Sequence, residues 1–77
     1  SQKQKITSEL SQFETRAKLL HSDVKGSNAA LYYVEKALAI IDNVRNNLDD
    51  SERKINSKLQ LIDELLTKAE KLVQEST

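Results

Sequence analysis

The chain contains no cysteine, proline, methionine or tryptophan, and its single glycine is Gly26. Without cysteine there is no disulfide, no thiolate nucleophile and no thiolate metal site, although cysteine-free helical domains occur on both sides of a membrane and no compartment follows. Without proline, and with one glycine, the punctuation that separates strands and hairpins is missing, which points to an all-α class. Aromatic residues are limited to Phe13, Tyr32 and Tyr33, too few for the basic–aromatic alternation that stacks nucleobases. Neither sign of charge prevails: 12 Lys and Arg balance 12 Asp and Glu, so nothing draws the chain onto nucleic acid or an anionic membrane. No run of about 18 apolar residues exists, so direct membrane insertion is not expected. At 77 residues the chain has room for one small domain. Its lack of an initiating methionine reads as a fragment of a longer protein.

What is present is a periodic apolar pattern. In the middle of the chain Ala30, Val34, Ala37, Ile41, Val44 and Leu48 step alternately by four and three, which keeps them on one side of a helix. Leu31 and Leu38 flank that seam on one side, Tyr33 and Ile40 on the other. A stripe this wide needs neighbours on both flanks. The chain supplies them: Ile6, Leu10, Phe13, Ala17, Leu20 and Val24 repeat the spacing before it, and Ile55, Leu59, Ile62, Leu66, Ala69 and Val73 repeat it afterwards, widened by Leu65 and Leu72.

The ends of these segments carry their own signals. Lys3 and Lys5 oppose the dipole of the first helix, so its first turn is expected to fray. His21 and Lys25 suit its C-terminus, and Gly26 suits the left-handed residue that closes it. Ser27 or Asn28 can cap the second helix, whose end is expected near Leu48, where Asn46, Asn47, Asp49 and Asp50 discourage continuation. Asp49 with Glu52 has the shape of a capping box for the third helix, with Asp50 and Ser51 as competing caps. Helices over about 3–25, 28–48 and 51–74, joined by tight turns, predict an antiparallel up-down-up three-helix bundle, coiled-coil-like and elongated. That layout resembles spectrin-type repeats, the regulatory N-terminal domains of syntaxins and small secreted bacterial bundles that bind host proteins. The likeness is one of shape, and the tryptophan typical of the first spectrin-type helix is missing here.

No stretch carries catalytic chemistry. His21 has no second histidine or cysteine with which to hold a metal, Asp49, Asp50 and Glu52 lack the glycine-containing calcium-loop pattern, and there is no phosphate loop of the GxxxxGK type. A slender bundle also leaves little interior for a water-excluding pocket. Neither a cofactor nor a metal is expected, and the chain is read as non-enzymatic. The residues that stand out are Tyr32, Lys36, Ala39 and Asn43, which share the face of the second helix opposite its seam. An exposed tyrosine on a face of small and polar residues suits a protein contact. Tyr33, by contrast, is expected to close the edge of the bundle. The helix-compatible pairs Glu14–Lys18, Glu64–Lys68 and Lys71–Glu75 read as solvated surface. The functional expectation is a helical protein-interaction domain that presents a helix face or groove to a protein partner, as a monomer in preference to a homodimer. The alternative setting is the folded domain of a secreted or surface-anchored bacterial protein that binds a host protein.

Overall fold

A computed structural model of the chain describes residues 1–24 and 26–75. Three helices, α1 (Gln2–Asp23), α2 (Asn28–Arg45) and α3 (Glu52–Glu75), pack side by side, each touching the other two. The turns between them are short, so α2 runs antiparallel to both neighbours and α1 lies parallel to α3. The body measures 41 × 17 × 16 Å with a radius of gyration of 12.8 Å. A compact chain of this length would give about 11.5 Å, so the molecule is a short rod.

The seams meet along the axis of that rod. Ile6, Leu10, Ala17, Leu20 and Val24 from α1 and its end, Ala30, Val34, Ala37, Ile41 and Val44 from α2, and Ile55, Leu59, Ile62, Leu65, Leu66 and Ala69 from α3 are buried together. Phe13, Leu48 and Val73 are half-buried and pack on this core from its edge. Leu48 and Val73 stand toward the ends of the rod, and the Phe13 ring is long for a bundle so narrow. No polar or charged residue is buried among the described residues, so the interior needs no hydrogen-bond partners.

Two boundaries differ from expectation and a third is settled between competing caps, each through a local hydrogen bond. The start of α1 is tied down: Ser1 Oγ accepts from the Gln4 amide at 3.3 Å, and the Ser1 backbone nitrogen donates to Gln4 Oε1 at 3.1 Å. This is a capping box with glutamine in the third position, and Lys3 adds an ion pair to Asp49 at 2.7 Å. The second helix ends at Arg45, three residues before Leu48. There the Asn46 amide bonds Asp42 O and Val44 O, the Asn47 amide bonds Val44 O, and Asn47 Nδ2 donates to Asn43 O at 2.7 Å. Asparagine side chain and tightened backbone together take up the last carbonyls, so the helix has nothing to extend with. At α3 the cap is Ser51, whose Oγ accepts from the Lys54 amide at 3.2 Å. Asp49, the expected capping-box residue, is spent instead on Lys3.

The α1–α2 connection follows the sequence reading. Gly26 has φ +85°, the left-handed region that glycine enters without a Cβ penalty, and Ser27 caps α2 through the Ala30 amide at 3.2 Å. Helix 1 closes at Asp23 with His21 in its last turn. Lys25 lies outside the described residues.

Ion pairs fix the helices about the core. Arg16 on α1 reaches across to α3, where Nε and Nη2 grip Glu70 at 2.8 and 2.7 Å, Nη1 meets Asp63 at 2.7 Å and Nη2 meets Thr67 at 3.1 Å. Arg45 on α2 reaches Glu14 on α1 through two contacts of 3.3 and 3.4 Å.

Candidate functional site

The candidate site grows from the N-terminal half of α2. The apolar seam of this helix faces inward, so at 100° per residue the opposite side must carry Tyr32, Lys36, Ala39 and Asn43. All four are exposed, Tyr32 to 57%. Tyr33, one residue on, is rotated toward α3 and packs on the core. The backbone thus splits two identical neighbours between an outward and an edge position.

The rings remain in contact. Their centroids are 5.7 Å apart with planes at 63°, the edge-to-face arrangement favoured by aromatic quadrupoles. Lys36 Nζ lies 5.6 Å from the Tyr32 ring centre and donates to Tyr32 Oη at 3.4 Å. Lys68 Nζ from α3 lies 5.8 Å from the Tyr33 ring centre. Each tyrosine therefore has an ammonium group within cation–π range. Two open hollows flank the pair. One is lined by Asn28, Leu31, Tyr32, Glu35 and Lys36, the other by Tyr33, Lys68, Lys71, Leu72 and Glu75.

The strip expected from the sequence is divided in two by the structure. Tyr32 and Lys36 touch, whereas Asn43 points its amide oxygen to Lys58 Nζ on α3 and so belongs to a separate polar group that includes Asp50, 3.8 Å from Lys58 Nζ. Eleven residues of helix separate Tyr32 from Asn43, or about 16 Å at 1.5 Å per residue. Ala39 lies between them and is exposed.

Lys68 and Lys71 were read as solvated partners of Glu64 and Glu75. Neither pair forms an ion pair among the described residues, while Glu14–Lys18 does so at 3.9 Å. Lys68 turns instead to Tyr33. The sequence holds a signal for this in the antiparallel register: ten residues back from Asn43 on α2 is Tyr33, and ten residues on from its α3 partner Lys58 is Lys68. A hairpin that brings one of these pairs together brings the other together too.

Most cations elsewhere on the rod are engaged. Lys3, Arg16, Lys18, Arg45, Lys54 and Lys58 each have a carboxylate within 4.0 Å. The Arg16 guanidinium, through its hydrogen bonds, holds the Glu70 carboxyl below the usual glutamate range, Arg45 does the same to Glu14, and Lys3 to Asp49. Lys36, Lys68 and Lys71 have no such carboxylate among the described residues. No group of three or more His, Cys, Asp or Glu among the described residues is placed to hold a metal ion, and no described helix is long and apolar enough to cross a membrane. No protein-family model, curated protein or solved structure matches this chain.

Proposed function

We propose that the chain is a non-enzymatic, monomeric protein-interaction domain that presents the outer face of α2 to a protein partner. The observation that carries this reading is Tyr32, a large amphipathic side chain 57% exposed on a face otherwise made of Lys36, Ala39 and Asn43. Tyrosine contributes contact area at low entropic cost because only two torsions are fixed on binding. Tyr33 and Lys36 both contact Tyr32, so part of the ordering cost is met before a partner arrives.

The test is photo-crosslinking from position 32, with a benzophenone amino acid in place of tyrosine, against cell lysate and against serum. With the captured partner in hand, Tyr32→Ala should weaken binding by roughly 1–2 kcal/mol and leave the melting midpoint almost unchanged. Tyr33→Ala should lower the midpoint first. Unaltered affinity for Tyr32→Ala would remove the outer face of α2. Light scattering at micromolar concentration should return the 8.7 kDa chain mass, and twice that mass would overturn the monomer.

A further inference from the structure

Three ammonium groups with no carboxylate within 4.0 Å among the described residues lie toward one end of the α2–α3 face, and two of them are within cation–π range of tyrosine rings. Lys36 lies against the hydroxyl end of Tyr32, Lys68 against Tyr33, and Lys71 shares a hollow of about 250 Å³ with Tyr33, Leu72 and Glu75. An ammonium group beside a ring keeps its full charge, because the quadrupole attracts it without neutralising it. The remaining cations without a carboxylate neighbour among the described residues, Lys5 and Arg53, belong to the first turns of α1 and α3, toward the opposite end of the rod. The positive groups beside Tyr32 and Tyr33 are thus a local feature of a chain that is neutral as a whole.

We infer that this end of the α2–α3 face docks an acidic peptide segment of a partner protein, with an apolar side chain set on Tyr33 and Leu72 and carboxylates directed to Lys36, Lys68 and Lys71. The inference rests on the interaction-domain reading and narrows its partner chemistry. The apolar floor is small and a single side chain covers it. Affinity and register must then come from charge, which favours a carboxylate-rich segment over a second copy of this neutral chain. Glu35 and Glu75 line the two hollows and set limits on where the partner's carboxylates can lie. Removing Glu75 should therefore tighten binding, whereas removing the lysines should weaken it.

The experiment is a nuclear magnetic resonance titration of the nitrogen-15-labelled domain with two synthetic peptides. One is a short peptide alternating aspartate with leucine and phenylalanine; the other has asparagine in place of every aspartate. The acidic peptide should shift the amides of Tyr32, Tyr33, Lys36, Lys68 and Leu72, and should bind at least about tenfold more tightly than its amide twin, a difference near 1.4 kcal/mol. The combined Lys36→Gln, Lys68→Gln and Lys71→Gln variant, changed only at exposed positions, should lose that preference. Glu75→Gln should strengthen it, and added salt should weaken it. Equal binding of both peptides at this face would overturn the acidic specificity while leaving the interaction-domain reading in place. Shifts elsewhere, or none at millimolar peptide, would overturn the docking site itself. The interaction-domain reading falls separately, if crosslinking from position 32 captures nothing from lysate or serum.

Discussion

Arg16 on α1 holds Glu70 on α3 with two near-parallel hydrogen bonds of 2.8 and 2.7 Å, the bidentate geometry for which the guanidinium fork is shaped. The same group takes Asp63 and Thr67, so one side chain spans two turns of the neighbouring helix. With both partners only partly exposed, the contact is shielded from water more than a surface pair and less than a buried one. Arg16→Ala should lower stability by roughly 1–2 kcal/mol after allowance for solvent screening. Arg16→Lys should recover only part of this, since an ammonium group cannot reproduce the fork. Chemical denaturation of both variants checks the order.

Acid should weaken the bundle through its ion pairs between helices and their ends. Glu70, Glu14 and Asp49 all have folded-state pKa values depressed by a cation, so the folded state binds protons less readily than the unfolded chain. Their contribution is present in full above the ordinary values of 4.5 for glutamate and 3.8 for aspartate. It is lost as pH falls through the lower folded values. Melting midpoints should be level from neutral pH to about 5 and decline below. Glu70→Gln should start lower at neutral pH and decline less steeply.

Gly26 offers a clean separation of backbone strain from packing. A Cβ built on it meets nothing within 4 Å, yet its φ is +85°. Gly26→Ala should therefore cost about 1 kcal/mol by backbone conformation alone. A synthetic chain with D-alanine at this position should be as stable as the parent or more so, because the mirror residue prefers this φ and restricts the unfolded chain. Thermal melts of the two epimers decide it, and equal destabilisation by both would mean that space is the constraint.

The start of α3 distinguishes a cap from an ion pair. Ser51→Ala removes the acceptor of the Lys54 amide and should cost about 1 kcal/mol. Asp49→Asn removes only the pair to Lys3, whose two side chains are 61% and 91% exposed, and should cost much less than the loss of the cap. The opposite ranking in denaturant titrations would restore Asp49 as the cap.

That contrast also marks where sequence reasoning stops. The seams were legible because burial along a helix imposes a period, and every seam residue from Ile6 to Val73 packs in the core or on its edge. Gly26 was legible because glycine alone enters its left-handed φ without a Cβ penalty, and the cap of α2 was narrowed to Ser27 or Asn28, of which Ser27 takes it. Helix ends among Asn46, Asn47, Asp49 and Asp50 were less so, since several side chains compete for the same few backbone groups and small geometric differences select the winner. Contacts between helices were the least legible. Spacing rules pair Lys68 with Glu64 on its own helix, while the structure offers it the Tyr33 ring from another, and Arg16 finds Asp63, Thr67 and Glu70 only once α1 and α3 lie parallel. The outward placement of Tyr32 and Lys36 was legible from the wheel; the meeting of Tyr33 with Lys68 and Lys71 needed the register of the hairpin.

The uneven sharing of the core sets an order in which the rod comes apart. The α2 and α3 helices share a more extensive interface with each other than α1 makes with both, and a short turn joins them. The α1–α3 contact closes a loop that includes all of α2, and its polar clamp depends on Arg16. Loop closure of that span is entropically dearer than closing the hairpin. Native-state hydrogen exchange should accordingly show α1 amides opening first, as a latch lifting from a closed hairpin, with α2 and α3 exchanging only in global unfolding. An opened latch would leave the core that α1 covers on α2 and α3 facing water on one side. Brief excursions of α1 then become the moments at which the chain is vulnerable to proteases or to pairing with another copy through an exchanged first helix.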